Sequence, residues 1–149
     1  MTFFENLQPG QKYFTEGITI TEDAIIRFGL EWDFQPFHVD KIAAKSSLFG
    51  GLISSGLLTM LVTFRLCVQA NIFSRNAVAG LGFKEVRFPS PVYPGNTLRV
   101  AATVGQCRLS KSKPEVGIVN WGLETKDEND RLVCSMELSN MVRCRTASA

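Results

Sequence analysis

The segment from Asp33 to Asp40, "DFQPFHVD", packs two carboxylates, a proline and the only histidine of a 149-residue chain into eight positions. Histidine exchanges a proton near neutral pH, and an aspartate beside it can orient a water or hold a proton. Asp33 and His38 cannot share a helix face across Pro36, but a turn can aim both into one cavity. Downstream, Gly56 stands near the head of a long apolar run. At a helix N-terminus its N–H would point away from the helix at the positive end of the dipole, where a developing oxyanion is stabilised. The missing side chain would let a substrate carbonyl approach. A base, an acid and a carbonyl-polarising donor are the parts of acid–base chemistry on a carbonyl compound.

Each of these residues also has a structural reading. His38 beside Asp33 is consistent with a hydrogen-bonded structural histidine, and Gly56 with a packing glycine. Asp40 is read as the N-cap of a short helix over "KIAAKS" rather than as a catalytic group. Ser54 and Ser55 are read as caps rather than nucleophiles, since no second histidine is present to serve them as a base. Residue types and spacing alone leave the catalytic and structural readings of His38 and Gly56 open.

The elements that would position these residues follow from the flanking pattern. "KYFTEGITI" over 12–20 reads as an extended first strand or lead-in. Thr21, followed by Glu22 and Asp23, is a helix start, and the stripe Ala24, Ile25, Phe28 predicts a helix over 21–31. That helix must stop before Pro36, which forces Gln35 to be extended. Gly50 and Gly51 mark a turn, and a helix is predicted over 56–72. Before its last turn only Arg65 and Gln69 carry strongly polar groups, so most of its faces, Leu61 included, are expected to be buried. Strand patterns follow in "GLGFKEVRF", "TLRVAATV", "GIVNWGLET" and "RLVCSMEL", separated by turn signals such as "PSPVYPG" and "KDEND". Helices first and then strands with no helix between them predict an α+β chain with an antiparallel sheet. One long buried helix wrapped by such a sheet is the hot-dog arrangement.

Composition narrows the classes. The length suits one domain over 1–149, and 45% hydrophobic with 20% charged residues suits a folded globular chain. A net charge of +2, scattered along the chain, argues against nucleic acid as partner. No secretory signal is visible, and the run from Gly50 to Phe64 is too short and hydroxyl-rich for a membrane span. Cys67, Cys107, Cys134 and Cys144 lack metal-ligand spacing, so free thiols in a reducing cytoplasm are expected, with no metal site.

"DFQPFHVD", then "FGGLISSGLLT", then "VRFPSPVYPGNTLRV" resembles in order the motifs of the MaoC-like dehydratases, whose core relatives are the (R)-specific enoyl-CoA hydratases. The resemblance spans roughly residues 7–143. It implies that Asp33 and His38 hold and activate water and that the Gly56 N–H polarises a thioester carbonyl. It also implies a hot-dog homodimer that takes an acyl-CoA or acyl-carrier thioester near the subunit interface, without metal or redox cofactor. The reaction it implies is reversible hydration of a trans-2-enoyl thioester to the (R)-3-hydroxyacyl thioester. Gln35 stands where the family usually has Asn, and Ser55 where a His commonly precedes the glycine. Phe64 falls where bacterial hydratases place a Ser bonded to the catalytic Asp, for which Thr59 and Thr63, four apart on one helix face, are candidate substitutes. Arg87, Arg108, Lys111 and Lys113 are read as solvated surface charges rather than CoA-phosphate ligands. An acyl-thioester-binding protein without efficient catalysis and a hot-dog thioesterase remain as alternatives.

Overall fold

The computed structural model describes residues 2–145; the small-residue tail "TASA" lies outside the described residues. After a 3₁₀ turn at Phe4–Asn6 come β1 (Lys12–Phe14), β2 (Ile18–Thr19), α1 (Glu22–Trp32), α2 (Pro36–Val39), α3 (Lys41–Lys45) and α4 (Gly56–Gln69). Four long strands follow: β3 (Ala77–Arg87), β4 (Thr97–Leu109), β5 (Val116–Lys126) and β6 (Leu132–Arg143). They form an antiparallel sheet of order β1-β4-β5-β6-β3, with β2 also on β4, and α4 packs against β4 and β6. This is the α+β hot-dog architecture that the sequence pattern implies.

Local chemistry explains the boundaries. The Thr21 hydroxyl accepts the Ala24 N–H at 3.2 Å and starts α1. Asp40 accepts the N–H groups of Ile42 and Ala43 at 2.8 and 3.0 Å, so its expected role as the cap of α3 is observed. The predicted helix over 56–72 ends earlier, at Gln69. Asn71 takes φ 55°, its N–H donates to Val68, and the Ile72 N–H reaches back to Cys67, which is a Schellman cap built on asparagine. The expected first strand over 12–20 is split in two, because Thr15 turns its hydroxyl onto the Val100 N–H at 3.0 Å and interrupts the ladder.

The sheet face toward α4 follows the predicted alternation. Leu98, Val100, Ala102 and Val104 of β4 and Val119, Trp121 and Leu123 of β5 are buried. On β6 Cys134, Met136 and Leu138 of the expected face are buried and only its first member, Leu132, departs. A register shift lets Val133 turn inward and leaves Leu132 only partly buried.

The expectation of a helix buried nearly all round is corrected. Thr59, Val62, Thr63, Leu66 and Cys67 of α4 face the sheet, whereas Leu57 and Val68 lie on a stripe open to solvent, and Leu61 is 53% exposed. A single sheet layer can cover only one stripe of a helix. β3, at the sheet edge, leaves every residue but Val86 exposed, and its Phe83 ring meets Phe64 of α4 at 5.9 Å. The bare helix stripe and the bare strand are therefore continuous.

Candidate active site

α1 ends with Asp33 as its C-cap, and the turn through Gln35 (φ −100°, ψ 143°) delivers Pro36 to the first position of α2. That extended backbone is what a residue before proline adopts, and it swings His38, one turn later, back toward Asp33. The close approach of α1 and α2 needs Gly29. A Cβ there would lie 2.7 Å from Val39 Cγ1 and 3.1 Å from His38 Cβ. Further along, the Ile53 N–H donates to Phe37 at 3.0 Å and the Ser54 N–H to Val92 at 2.8 Å, fixing the strap that leads into α4.

The structure brings Asp33, Gln35, His38 and Ser55 together, with Gly56 adjacent. His38 is 3% exposed, and its Nε2 lies 3.3 Å from Asp33 Oδ2. Its Nδ1 lies 2.7 Å from the Ile53 carbonyl oxygen. A carbonyl only accepts, so Nδ1 carries the hydrogen and Nε2 is the nitrogen left to exchange a proton toward Asp33. Asp33 Oδ2 also accepts the Ser55 hydroxyl at 2.6 Å, and Oδ1 accepts the Gln35 amide at 2.8 Å. A carboxylate offers about four acceptor positions. Ser55, Gln35 and a His38 Nε2–H use up to three of them and leave room for a water.

The Ser55 hydrogen bond is the main reason the Asp33 carboxyl is held below its ordinary range. Gln35 and His38 act in the same direction, and burial opposes them. Asp33 is therefore an ionised acceptor at neutral pH.

Gly56 is the first residue of α4, so its N–H lies outside the helix's own ladder. Beside it is a cavity of about 260 Å³ whose lining includes His38, Phe49, Ile53, Gly56, Phe88 and Val92. The Phe88 ring rests on Gly56: a Cβ would lie 2.7 Å from Cδ2 and Cε2. The space left by the missing side chain is thus taken by Phe88, in line with the packing reading, and the oxyanion reading rests on the position of the Gly56 N–H at the head of α4.

Residues 4–126 match the family described as the MaoC like domain. The chain belongs to the MaoC-like dehydratase family. Uncharacterized protein YdeM of Bacillus subtilis (strain 168) is 30% identical over 134 residues, covering 90% of this MaoC-like chain and 94% of YdeM. A mesaconyl-CoA hydratase of Haloarcula marismortui is 37% identical over 70 residues, 46% of this chain but only 20% of the hydratase. The crystal structure of the MaoC-like dehydratase from Rhodospirillum rubrum superposes with a TM-score of 0.92 at 34% identity, covering 99% of this chain and 100% of that one.

Among the supporting residues named from sequence, Gln35 and Ser55 contact Asp33, while Thr59 and Thr63 do not. The Thr59 hydroxyl lies 3.4 Å from both Ser54 Oγ and the Ser55 carbonyl. Thr63 donates to the Thr59 carbonyl at 2.9 Å and meets Thr125 of β5. Both are buried on the stripe of α4 that faces the sheet; Thr59 also lines the cavity beside His38 and Gly56, while the bond to Asp33 comes from Ser55. Phe64, which the resemblance sets against the serine of the bacterial hydratases, stacks on Phe73 with centroids 5.7 Å apart. Sequence reasoning missed Gly29, the Ile53 carbonyl and Phe88. A glycine inside the α1 pattern was a visible signal for the first; nothing local marks the other two.

Proposed function

We propose that this MaoC-like chain catalyses reversible hydration of a trans-2-enoyl thioester to the (R)-3-hydroxyacyl thioester, on CoA or an acyl carrier. The observation that carries the proposal is the Asp33–His38 pair, 3.3 Å apart beside the free N–H of Gly56. Water accepts a position against Asp33 and His38 Nε2, and its oxygen bonds to C3 as the pair removes a proton. The C2=C3 electrons shift toward the carbonyl, whose oxygen is stabilised by the Gly56 N–H and the N-terminus of α4. A proton returned to C2 completes addition of one water with no net electron transfer. The chemistry therefore calls on no redox or metal cofactor. The mesaconyl-CoA hydratase relative supports a CoA-thioester substrate, and the (R) product rests on the family resemblance.

A homodimer is part of the proposal. Leu57, Leu61 and Val68 of α4, with Val78, Leu81 and Phe83 of β3, form an exposed apolar surface that a second copy would cover. No helix among the described residues is long and apolar enough to cross a membrane. The four free cysteines suit a reducing cytoplasm.

The test is to mix purified protein with enoyl-CoA and enoyl-carrier substrates of graded chain length. Loss of the conjugated-enoyl absorbance and recovery of the (R)-hydroxyacyl product are expected. No turnover across the panel overturns the proposal, and release of free thiol instead would identify a thioesterase.

A further inference from the structure

We propose that Ser55 is a positioning residue whose single hydroxyl ties the Asp33 carboxylate to the N-terminus of α4. In the hydration reaction proposed above, that tie fixes the water-holding group relative to the Gly56 N–H.

The hydrogen-bond directions at Ser55 are forced. Its Oγ lies 3.2 Å from the Leu57 nitrogen, and a backbone N–H can only donate, so a lone pair of Oγ is used there. Its Oγ also lies 2.6 Å from Asp33 Oδ2, and an ionised carboxylate can only accept, so the one O–H proton points at Asp33. The hydroxyl rotor is thus locked, in the short range of a charge-assisted O–H···O⁻ bond. Ser55 is 1% exposed, so water does not compete for either bond.

This joins residues 22 apart in sequence. The same oxygen that caps α4 feeds the positive end of its dipole toward the Asp33 charge. Ser55 also precedes Gly56 directly, so a displacement of Asp33 is transmitted to the oxyanion donor through one peptide unit. The depressed Asp33 ionisation, for which Ser55 is the largest cause, agrees with this geometry. The groups facing Asp33 are His38 from α2, Gln35 from the turn and Ser55 from the head of α4; His38 is the one titratable group among them.

Capping and positioning can be separated by substitution. Glycine caps nearly as well as serine but has no hydroxyl, whereas alanine lacks both properties. Ser55→Gly and Ser55→Ala should both move the Asp33 carboxyl titration, followed by carbon-detected NMR, to higher pH. Both should lower kcat about 10- to 100-fold with KM little changed, the range for a lost hydrogen bond to a charged group. Both lose the stability that the Asp33 bond supplies, but Ser55→Ala also loses the cap and should lower the melting temperature further than Ser55→Gly. Ser55→Thr, which keeps the hydroxyl, should restore both the titration and kcat. An Asp33 titration unchanged in Ser55→Gly overturns the proposal, as does a kcat loss confined to the less stable Ser55→Ala. The NMR titration needs no substrate. A shifted Asp33 in a protein that hydrates no enoyl thioester would uphold the Ser55 tie and reject the hydratase assignment.

Discussion

Replacing Gly56 by alanine should reveal how tightly Phe88 is seated on the head of α4. The new Cβ would lie 2.7 Å from two carbons of the ring and 3.0 Å from a third. Carbon atoms pack at about 3.5–4.0 Å, so the ring must retreat by about 1 Å. Phe88 is 44% exposed and has solvent to move into. The penalty is therefore that of moderate overpacking, about 1–3 kcal/mol. Alanine keeps the N–H, so the oxyanion donor survives, but the displaced ring reshapes the cavity next to it. Urea denaturation of Gly56→Ala, Phe88→Ala and the double variant would measure the coupling. The glycine substitution should be costly in the wild-type background and nearly neutral once the ring is gone. An equal cost in both backgrounds would refute the reasoning, because the strain would then arise from the helix terminus and not from Phe88.

Asp33→Asn and His38→Ala should each nearly abolish hydration in a folded protein, with the double variant hardly worse than either single one, since the two act as a unit; additive losses in steady-state kinetics would contradict this. Asp40→Ala should lower stability by about 0.5–2 kcal/mol, the range for a lost N-cap, while turnover stays close to wild type. Leu66→Ala, inside the core, should lower unfolding stability by about 2–5 kcal/mol. Leu61→Asp should instead shift sedimentation from dimer to monomer, and a dimer that survives it would place the interface elsewhere. Because the Asp33 carboxyl is held below its unfolded value, its contribution to stability is present above that value and is lost as pH falls through the folded one. Acid unfolding of Asp33→Asn should therefore lack that part of the pH dependence, and an identical pH profile would show that Asp33 adds nothing.

The site was legible where chemistry is written in adjacent residues. Asp33, Pro36 and His38 share one turn, Asp40 announces a cap, and the alternation of β4 and β5 is clean because one face of each is fully covered. It was less legible where partners come from distant segments. The Ser55 bond to Asp33 depends on how the strap after α3 returns over α1, which no local spacing encodes. The inward face of Thr59 and Thr63 was settled by the orientation of α4 about its axis, and an apolar pattern on nearly every side gives that rotation little to act on. The same ambiguity hid the exposure of Leu61. A stripe left bare and a stripe covered by the sheet have the same apolar composition.

Ile53 divides its labour between main chain and side chain. Its carbonyl fixes the tautomer of His38, while its side chain helps to line the cavity. The acid–base setting of the histidine is thus held by an atom that side-chain substitution at 53 does not remove. Position 53 can vary in bulk, as in Ile53→Val, and retune which substrate fits while the proton chemistry stays as it was. In the proposed hydration, selectivity and reactivity would meet at one residue, each free to drift independently of the other.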